Sequence, residues 1–163
     1  SYRRKKIDSG DIDLLITSEK YNNNKAMEII IQEMKQSNIL KETLAKGKKK
    51  FMGIISIQKQ PCRHLDIVET TKEDYPFAIL YFTGSGGFNV KMRKHAMDLG
   101  YTMNEYSIKR ISGKKGVALK ESEIKEKLGK PLFETERDIF DFLKYEYKEP
   151  ADRKGFTISK MKH

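Results

Sequence analysis

The sequence has little that would cross-link the chain or carry it through a membrane. Its 163 residues include one Cys and no Trp. A single Cys excludes an internal disulfide framework and indicates a reducing compartment. No apolar run approaches the roughly 20 residues of a transmembrane helix, and the N-terminal SYRRKKIDSG lacks the apolar stretch of a signal peptide. The missing initiator Met predicts a fragment, a processed form or a trimmed chain.

Several catalytic motifs are also missing. The sequence contains neither a Walker A motif nor G-x-G-x-x-G, so it does not predict a P-loop or a dinucleotide-binding domain. His64 and His95 have no metal-ligand spacing, and Cys62 has no pattern typical of a nucleophile.

Positive charge is abundant and unevenly distributed. Lys and Arg number 33 against 23 Asp and Glu, which gives a formal net charge of +10. The excess is +5 over residues 1–50 and +6 over residues 91–163, whereas residues 51–90 carry −1. Basic flanks around an acidic centre are expected of a polyanion-binding protein. A solubility surface explains the charge equally well at this point.

Apolar periodicity predicts an α/β (α+β) fold of two parts with a boundary near residues 70–74. In the first part we predict a strand at 12–17, a helix at 24–37 and strands at 39–45, 51–57 and 63–69. In the second part we predict helices at 75–82, 88–99, 121–128 and 135–145, and sheet segments at 103–111 and 117–119. The polar residues from Glu149 onward are predicted to form a loosely held basic tail.

Three carboxylates are the main candidates for chemistry. Asp11 and Asp13 lie two residues apart in a strand, so they share one face. Asp66 lies in mid-strand between apolar neighbours, where a charge is costly unless it is paired or metal-bound. If the two strands are neighbours, the set could hold two Mg²⁺ ions and clamp a phosphoryl displacement. Alternatively, Asp11 and Asp13 are a solvated pair, and Asp66 pairs with Arg63 or Arg4.

Taken together, the motifs resemble the palm and thumb of the family X DNA polymerases, of the polymerase beta and lambda type, over nearly the whole chain. The resemblance depends on SYRR at 1–4, SGDID at 9–13, KFMG at 50–53, RHLDI at 63–67, LYFTGS at 80–85, FN at 88–89, MR at 92–93, NEY at 104–106, DIFD at 138–141 and YKEP at 147–150.

The resemblance implies a fold and a domain division. It implies a nucleotidyltransferase-type palm at residues 1–72, with a mixed β-sheet flanked by helices. A small α+β thumb with a basic C-terminal tail follows at residues 73–163. It further implies a non-proline cis peptide at Gly84–Ser85.

The resemblance also implies an activity and a set of site residues. The activity is template-directed DNA synthesis from deoxynucleoside triphosphates, with two Mg²⁺ ions, for which Mn²⁺ may substitute. Asp11, Asp13 and Asp66 would be the catalytic metal ligands. The implied nucleotide-binding residues are Ser1, Arg4, Ser9, Gly10, Tyr81, Phe82, Gly84 and Asn89. The implied DNA-binding residues are His64, Arg93 and Tyr106, although relatives often have Arg in place of His64.

We expect a monomer that fills short gaps in DNA, as in base excision repair, in the nucleus, or in the cytoplasm if the source is viral. We expect no membrane partner. Two alternatives remain open: a template-independent nucleotidyl transferase, and a non-catalytic DNA-binding remnant of a larger polymerase. The short connection at 58–62 and the pair Tyr81-Phe82 count against the first, and the three Asp residues count against the second.

Overall fold

The computed structural model describes residues 2–19 and 25–155. The chain divides into two compact units, one of residues 8–75 and one that joins residues 1–7 to residues 76–163. The division falls near the predicted boundary. However, residues 2–7, which were predicted with the first domain, contact the second unit, because Arg3 and Arg4 donate hydrogen bonds to Thr83.

The first unit is a four-stranded mixed sheet with one helix. Its elements are β1 (Asp11–Ile16), α1 (Lys25–Gln36), β2 (Leu40–Lys46), β3 (Lys50–Ile55) and β4 (Arg63–Glu69). The strand order is β1-β4-β3-β2, and only the β1–β4 pairing is parallel. Side chains alternate along a strand, and here one face supplies Phe51, Leu65 and Ile67 to a core that α1 completes with Met27 and Ile31. The other face carries Asp11, Asp13, His64 and Asp66 together with apolar residues such as Met52 and Ile54.

The second unit combines helices with a small antiparallel sheet. It contains a 3₁₀ turn (Tyr2–Arg4), α2 (Tyr75–Thr83), α3 (Gly86–Asp98), β5 (Tyr101–Met103), β6 (Ile108–Ser112), β7 (Lys115–Ala118), α4 (Glu121–Leu128), α5 (Glu136–Phe142) and a 3₁₀ turn (Pro150–Asp152). The sheet order is β5-β6-β7. Its core centres on aromatic contacts among α3, α5 and the segment after α5, such as Phe88 on Phe140 and Phe140 on Tyr147. The predicted α/β class is confirmed for both units.

Two sequence-based expectations about the second unit are wrong. The predicted strand at 103–111 is two strands, because the Asn104 side chain accepts hydrogen bonds from the backbone N–H groups of Tyr106 and Ser107, each at 2.9 Å. An Asn that bonds to the backbone ahead of it forms a tight turn. The predicted loose tail is also wrong for residues 149–155: Arg153 is completely buried there. Residues 156–163 lie outside the described residues.

Candidate active site

Strands β1 and β4 bring the three predicted carboxylates to one face of the sheet. They pair in parallel, with Asp13 opposite Asp66 and Asp11 opposite His64. Residues that face each other across a ladder share a side of the sheet, and neighbouring strands lie about 4.8 Å apart. This is the face opposite α1. The sequence predicted that Asp11 and Asp13 share one face, and that Leu65 and Ile67 lie on the face opposite Asp66. The observed burial pattern agrees with both predictions.

The electrostatics of this face favour a bound cation. Burial raises the pKa of Asp66, and the charges of Asp13 and Asp11 raise it further, whereas nearby His64 lowers it. Arg63 does not pair with Asp66; its guanidinium points toward the backbone oxygen of Ser9, at 3.5 Å. The carboxylate charges therefore repel one another, and a cation between them would relieve that repulsion.

The donor set fits Mg²⁺ in chemistry, although it does not form a cage by itself. Within residues 2–19 and 25–155, no group of three or more His, Cys, Asp or Glu side chains converges tightly enough to enclose a metal ion. Mg²⁺ is usually held by one or two carboxylates together with water and substrate phosphates, so it does not require a protein-only cage. Hard carboxylate oxygens with an unrelieved negative charge are the ligands that this ion prefers.

Ser9 and Gly10 lead into β1 and are exposed. The Ser9 hydroxyl donates to the backbone oxygen of Asp11 at 2.9 Å. A Cβ atom built on Gly10 would meet no heavy atom within 4 Å, so the space above this backbone is open. An open backbone next to a carboxylate pair leaves room for a ligand to approach.

In the second unit, the remaining predicted site residues surround the turn between α2 and α3. The Gly84–Ser85 peptide is cis, as predicted, and Gly84 has φ 61°. Ser85 caps α3, since its hydroxyl accepts a hydrogen bond from the N–H of Phe88 at 3.3 Å. The guanidinium of Arg4 donates to the backbone oxygen of Thr83 at 2.9 Å. Ser1 lies outside the described residues, and its role stays a prediction.

Tyr81, Phe82, Asn89 and Arg93 form one contact group beside this turn. The rings of Tyr81 and Phe82 meet edge to face, 5.1 Å apart. The Asn89 amide donates to the backbone oxygen of Tyr81 at 2.8 Å, and the Arg93 guanidinium lies 4.9 Å from the Tyr81 ring centre. Tyr106, predicted to contact DNA, is 44% exposed. Fixed contacts between neighbouring residues hold the aromatic pair in one arrangement.

A buried charge network supports the turn, and the sequence analysis missed it. Arg153 forms a two-pronged ion pair with Glu136, at 2.8 and 2.9 Å, and Arg3 adds a third contact to the same carboxylate at 2.8 Å. The backbone oxygen of Arg153 accepts from the N–H of Ser85. The guanidinium of Arg3 also donates to the Thr83 hydroxyl. This network therefore touches both sides of the cis peptide.

The network is strongly stabilised by charge. Burial opposes ionisation of Glu136, but hydrogen bonds from Arg153 and Arg3 outweigh it and lower the pKa of Glu136 from 4.5 to about 2. No short sequence motif predicts this network. The separation of Glu136 and Arg153 in the sequence matches no known motif, and Arg153 lies in a polar stretch that resembles an exposed tail.

Comparisons with known proteins agree with this architecture. The family described as DNA polymerase beta palm matches residues 1–72, and that described as DNA polymerase beta thumb matches residues 78–154. DNA polymerase lambda of Rattus norvegicus is 29% identical over 94% of this chain and 27% of its own length. DNA polymerase lambda of Arabidopsis thaliana is 25% identical over 94% of this chain and 30% of its length. The DNA polymerase/3'-5' exonuclease PolX of Bacillus subtilis (strain 168) is 29% identical over 68% of this chain and 18% of its length.

The two units thus define a palm and a thumb of the polymerase beta type. The chain spans less than a third of the length of these relatives. It belongs to the family X DNA polymerases and represents their palm and thumb portion.

Proposed function

We propose that this chain carries the catalytic centre of a template-directed DNA polymerase, which transfers a nucleotide from a deoxynucleoside triphosphate to a primer 3′-hydroxyl. The observation that carries the proposal is the parallel pairing of β1 with β4, with Asp13 opposite Asp66 and Asp11 two residues away on the same face. A repelling carboxylate set of this kind destabilises a fold unless it serves to bind cations.

In this proposal Asp11, Asp13 and Asp66 hold two Mg²⁺ ions, for which Mn²⁺ can substitute. When bound, such ions neutralise charge on the transferred phosphoryl group and activate the attacking hydroxyl. Asp66 accepts the proton of the primer 3′-hydroxyl, a role that a carboxylate beside the reacting hydroxyl can serve.

The proposal assigns nucleotide binding to two groups of residues. Ser1, Arg4, Ser9 and Gly10 hold the triphosphate, since a guanidinium and an open backbone suit phosphate oxygens. Tyr81, Phe82 and Gly84 contact the deoxyribose, and Asn89 contacts the base edge. Support comes from the contacts that fix Tyr81 beside Asn89.

DNA contacts complete the proposal. His64, on the same face as the three carboxylates, lies on the primer side, and Arg93 and Tyr106 contact the template strand. The tip of the β2–β3 hairpin also carries cations, since Lys46, Lys48, Lys49 and Lys50 follow one another with no acidic residue between them. Lys50 faces Val68 across β3 and β4, so it points to the carboxylate side of the sheet.

Substitution of one carboxylate tests the activity. Asp66→Asn preserves the size of the side chain and removes its charge. We expect extension of a primer across a one-nucleotide gap to fall at least about 1,000-fold, since metal ligands and proton acceptors contribute several kcal/mol to a phosphoryl transfer. DNA binding, measured by fluorescence anisotropy, should persist.

The matched control is Asp141→Asn, which removes the same charge from an exposed position on α5. It should extend the primer at the wild-type rate. Normal extension by Asp66→Asn would contradict the assignment.

We further propose that the activity serves to fill short gaps, as in base excision repair. The same assay should show faster extension on a gapped duplex than on an open primer–template, and none on a bare single strand. Efficient extension of the single strand would instead indicate template-independent transfer.

A further inference from the structure

The β6–β7 hairpin ends in a tight turn that exposes a serine. Ser112, the last residue of β6, lies opposite Lys115, the first residue of β7, so only Gly113 and Lys114 connect the two strands. Gly113 has φ 60°, a conformation that suits a two-residue hairpin turn. The pairing of β5 with β6 stops at Arg110, and Ser112 lies beyond it as an exposed residue. The side of Ser112 is therefore accessible to another protein.

The residues before Ser112 are basic in a pattern that serine/threonine kinases recognise. Arg110 and Lys109 precede Ser112 by two and three positions, and no other Ser or Thr in the sequence has cations at both of these positions. Kinases that prefer basic substrates hold such cations with carboxylates beside the catalytic cleft, so the charge pattern of the substrate determines which serine is modified. The run from Lys109 to Ser112 is therefore a candidate kinase substrate.

The register of the hairpin surrounds Ser112 with positive charge. Residues that alternate along a strand share a side of the sheet, so Arg110 and Ser112 face the same way, and Lys115 lies opposite Ser112 on that side. Residues 106–120 contain five cationic side chains and no acidic one. A phosphate on Ser112 carries a charge of about −1.5 to −2. It would meet two cations and no carboxylate of the hairpin.

Arg110 already has an anionic partner, which is Glu123 of α4. The two side chains form an ion pair in which that of Arg110 is 46% exposed and that of Glu123 is 28% exposed. The Glu123 carboxylate also accepts a hydrogen bond from the backbone N–H of Lys120 at 2.9 Å, at the start of α4. A phosphate has up to about twice the charge of a carboxylate, and a guanidinium can bind two of its oxygens at once. Competition for Arg110 therefore favours a phosphate on Ser112.

We propose that Ser112 is a phosphorylation site for a kinase that recognises basic sequences, and that its phosphate replaces Glu123 as the partner of Arg110. In the transfer, Ser112 Oγ forms a bond to the γ-phosphorus of ATP, and the bond from that phosphorus to the bridging β–γ oxygen breaks. The hydroxyl proton passes to the catalytic base of the kinase, and ADP leaves.

The modification separates α4 from the hairpin. Within the part of the chain that the structure describes, the pair of Arg110 with Glu123 is the ion pair that joins these two elements. Its loss leaves Glu123 to the backbone of α4 alone. This switch goes beyond the proposed polymerase activity and does not depend on it.

The first test is phosphorylation of the folded chain with ATP, Mg²⁺ and the catalytic subunit of cyclic-AMP-dependent protein kinase. We expect mass spectrometry of proteolytic fragments to locate a phosphate on Ser112. Arg110→Gln should slow its incorporation by about tenfold or more, because a hydrogen bond to a charged group contributes at least that factor. The matched control, Ser122→Ala, removes another exposed hydroxyl from α4 and should leave the rate at Ser112 unchanged.

The second test follows the change of partner at Arg110. The Nε–H resonance of Arg110 is recorded by NMR in an isotope-labelled chain and assigned with Arg110→Lys. Before phosphorylation, wild type and Glu123→Gln should differ in the position of this resonance. After phosphorylation it should move in both proteins and coincide, because Glu123 is no longer the partner. The Gln side chain keeps an oxygen for the N–H of Lys120, so the start of α4 is preserved.

Either of two results would overturn the proposal. Absence of phosphate on Ser112 in the folded wild-type chain would exclude the modification site. An Arg110 resonance that does not move on phosphorylation, or that still differs between the phosphorylated wild type and Glu123→Gln, would exclude the change of partner. Primer extension is a readout of neither test, so both results leave the proposed polymerase intact.

Discussion

Two groups of charged side chains, one in each unit, differ in how their charges are balanced. On the sheet of the palm, three carboxylates share a face, and burial together with the charges of Asp13 and Asp11 raises the pKa of Asp66. In the thumb, one carboxylate lies between two guanidinium groups, and its pKa falls to about 2. Among the described residues, the palm carboxylates form no ion pair, and the proposed function has them gain compensation by binding cations. The thumb group is fully compensated and can only support structure.

The balance of charge within each cluster distinguishes a site that binds a ligand from one that stabilises the fold. A cluster whose charges oppose one another lowers stability, so it is retained for what it binds. A cluster with matched charges and hydrogen bonds rigidifies the chain around it, provided that no partner is removed. Changes to the thumb network should therefore alter stability, and changes to the palm carboxylates should alter cation binding.

The largest expected effect on folding comes from removing the buried cation. Arg153 is completely buried, and Arg153→Met leaves Glu136 with Arg3 as its one remaining cationic partner in the described residues. We expect the free energy of unfolding, measured with urea, to fall by about 4 kcal/mol, because breaking a buried ion pair by removing one partner costs about 3–5 kcal/mol.

Two controls test whether charge is the cause. Arg137→Met removes a neighbouring guanidinium that stacks on Tyr147 but is exposed, and should cost less than about 1 kcal/mol. In Glu136→Gln/Arg153→Met the loss should be smaller than the sum of the two single losses, because the double variant removes both charges of the buried pair together. Strict additivity would show that Arg153 acts through its packing.

The sequence could predict the carboxylate face because the physics there is local. Alternation along a strand places Asp11 with Asp13, and sets Asp66 apart from Leu65 and Ile67. That β1 and β4 would be neighbours depended on the family resemblance, since pairing between distant strands leaves no periodic signal.

The thumb network could not be predicted in the same way. Residue 153 lies among polar residues, where composition indicates an exposed tail, and its burial depends on the aromatic rings of Phe88, Phe140 and Tyr147 around it. Such a pocket forms only when α3, α5 and the C-terminal segment meet. The split between β5 and β6 was missed for a simpler reason, because the single side chain of Asn104 interrupts a run that otherwise reads as one strand.

Acidification should reduce the free energy of unfolding somewhat less than Arg153→Met does. The pKa of Glu136 is 4.5 when unperturbed and about 2 in the fold, so the unfolded chain binds its proton first as pH falls. The resulting stabilisation is complete above pH 4.5 and is lost as pH falls from 4.5 to about 2. Its size is about 3 kcal/mol, at about 1.36 kcal/mol per pKa unit.

The measurement compares the pH dependence of unfolding free energy in wild type and Glu136→Gln. The wild-type curve should descend more steeply below pH 4.5, and the two curves should converge toward pH 2. Parallel curves across this range would show that the carboxylate is not held by its two guanidinium partners.

The smallest expected change in stability concerns the palm, where it arises from repulsion between like charges and not from attraction between opposite ones. Mg²⁺ should raise the thermal midpoint of the wild-type chain, because a ligand that binds only the folded state stabilises it by RT ln(1 + [L]/Kd), about 1.4 kcal/mol at ten times Kd. Asp13→Asn should lose this shift and yet be at least as stable as wild type in EDTA, since it removes one of the three repelling charges. Asp141→Asn should keep the full shift. If Asp13→Asn were instead markedly less stable in EDTA, the carboxylates of the palm would be supporting the fold, and the contrast with the thumb network would fail.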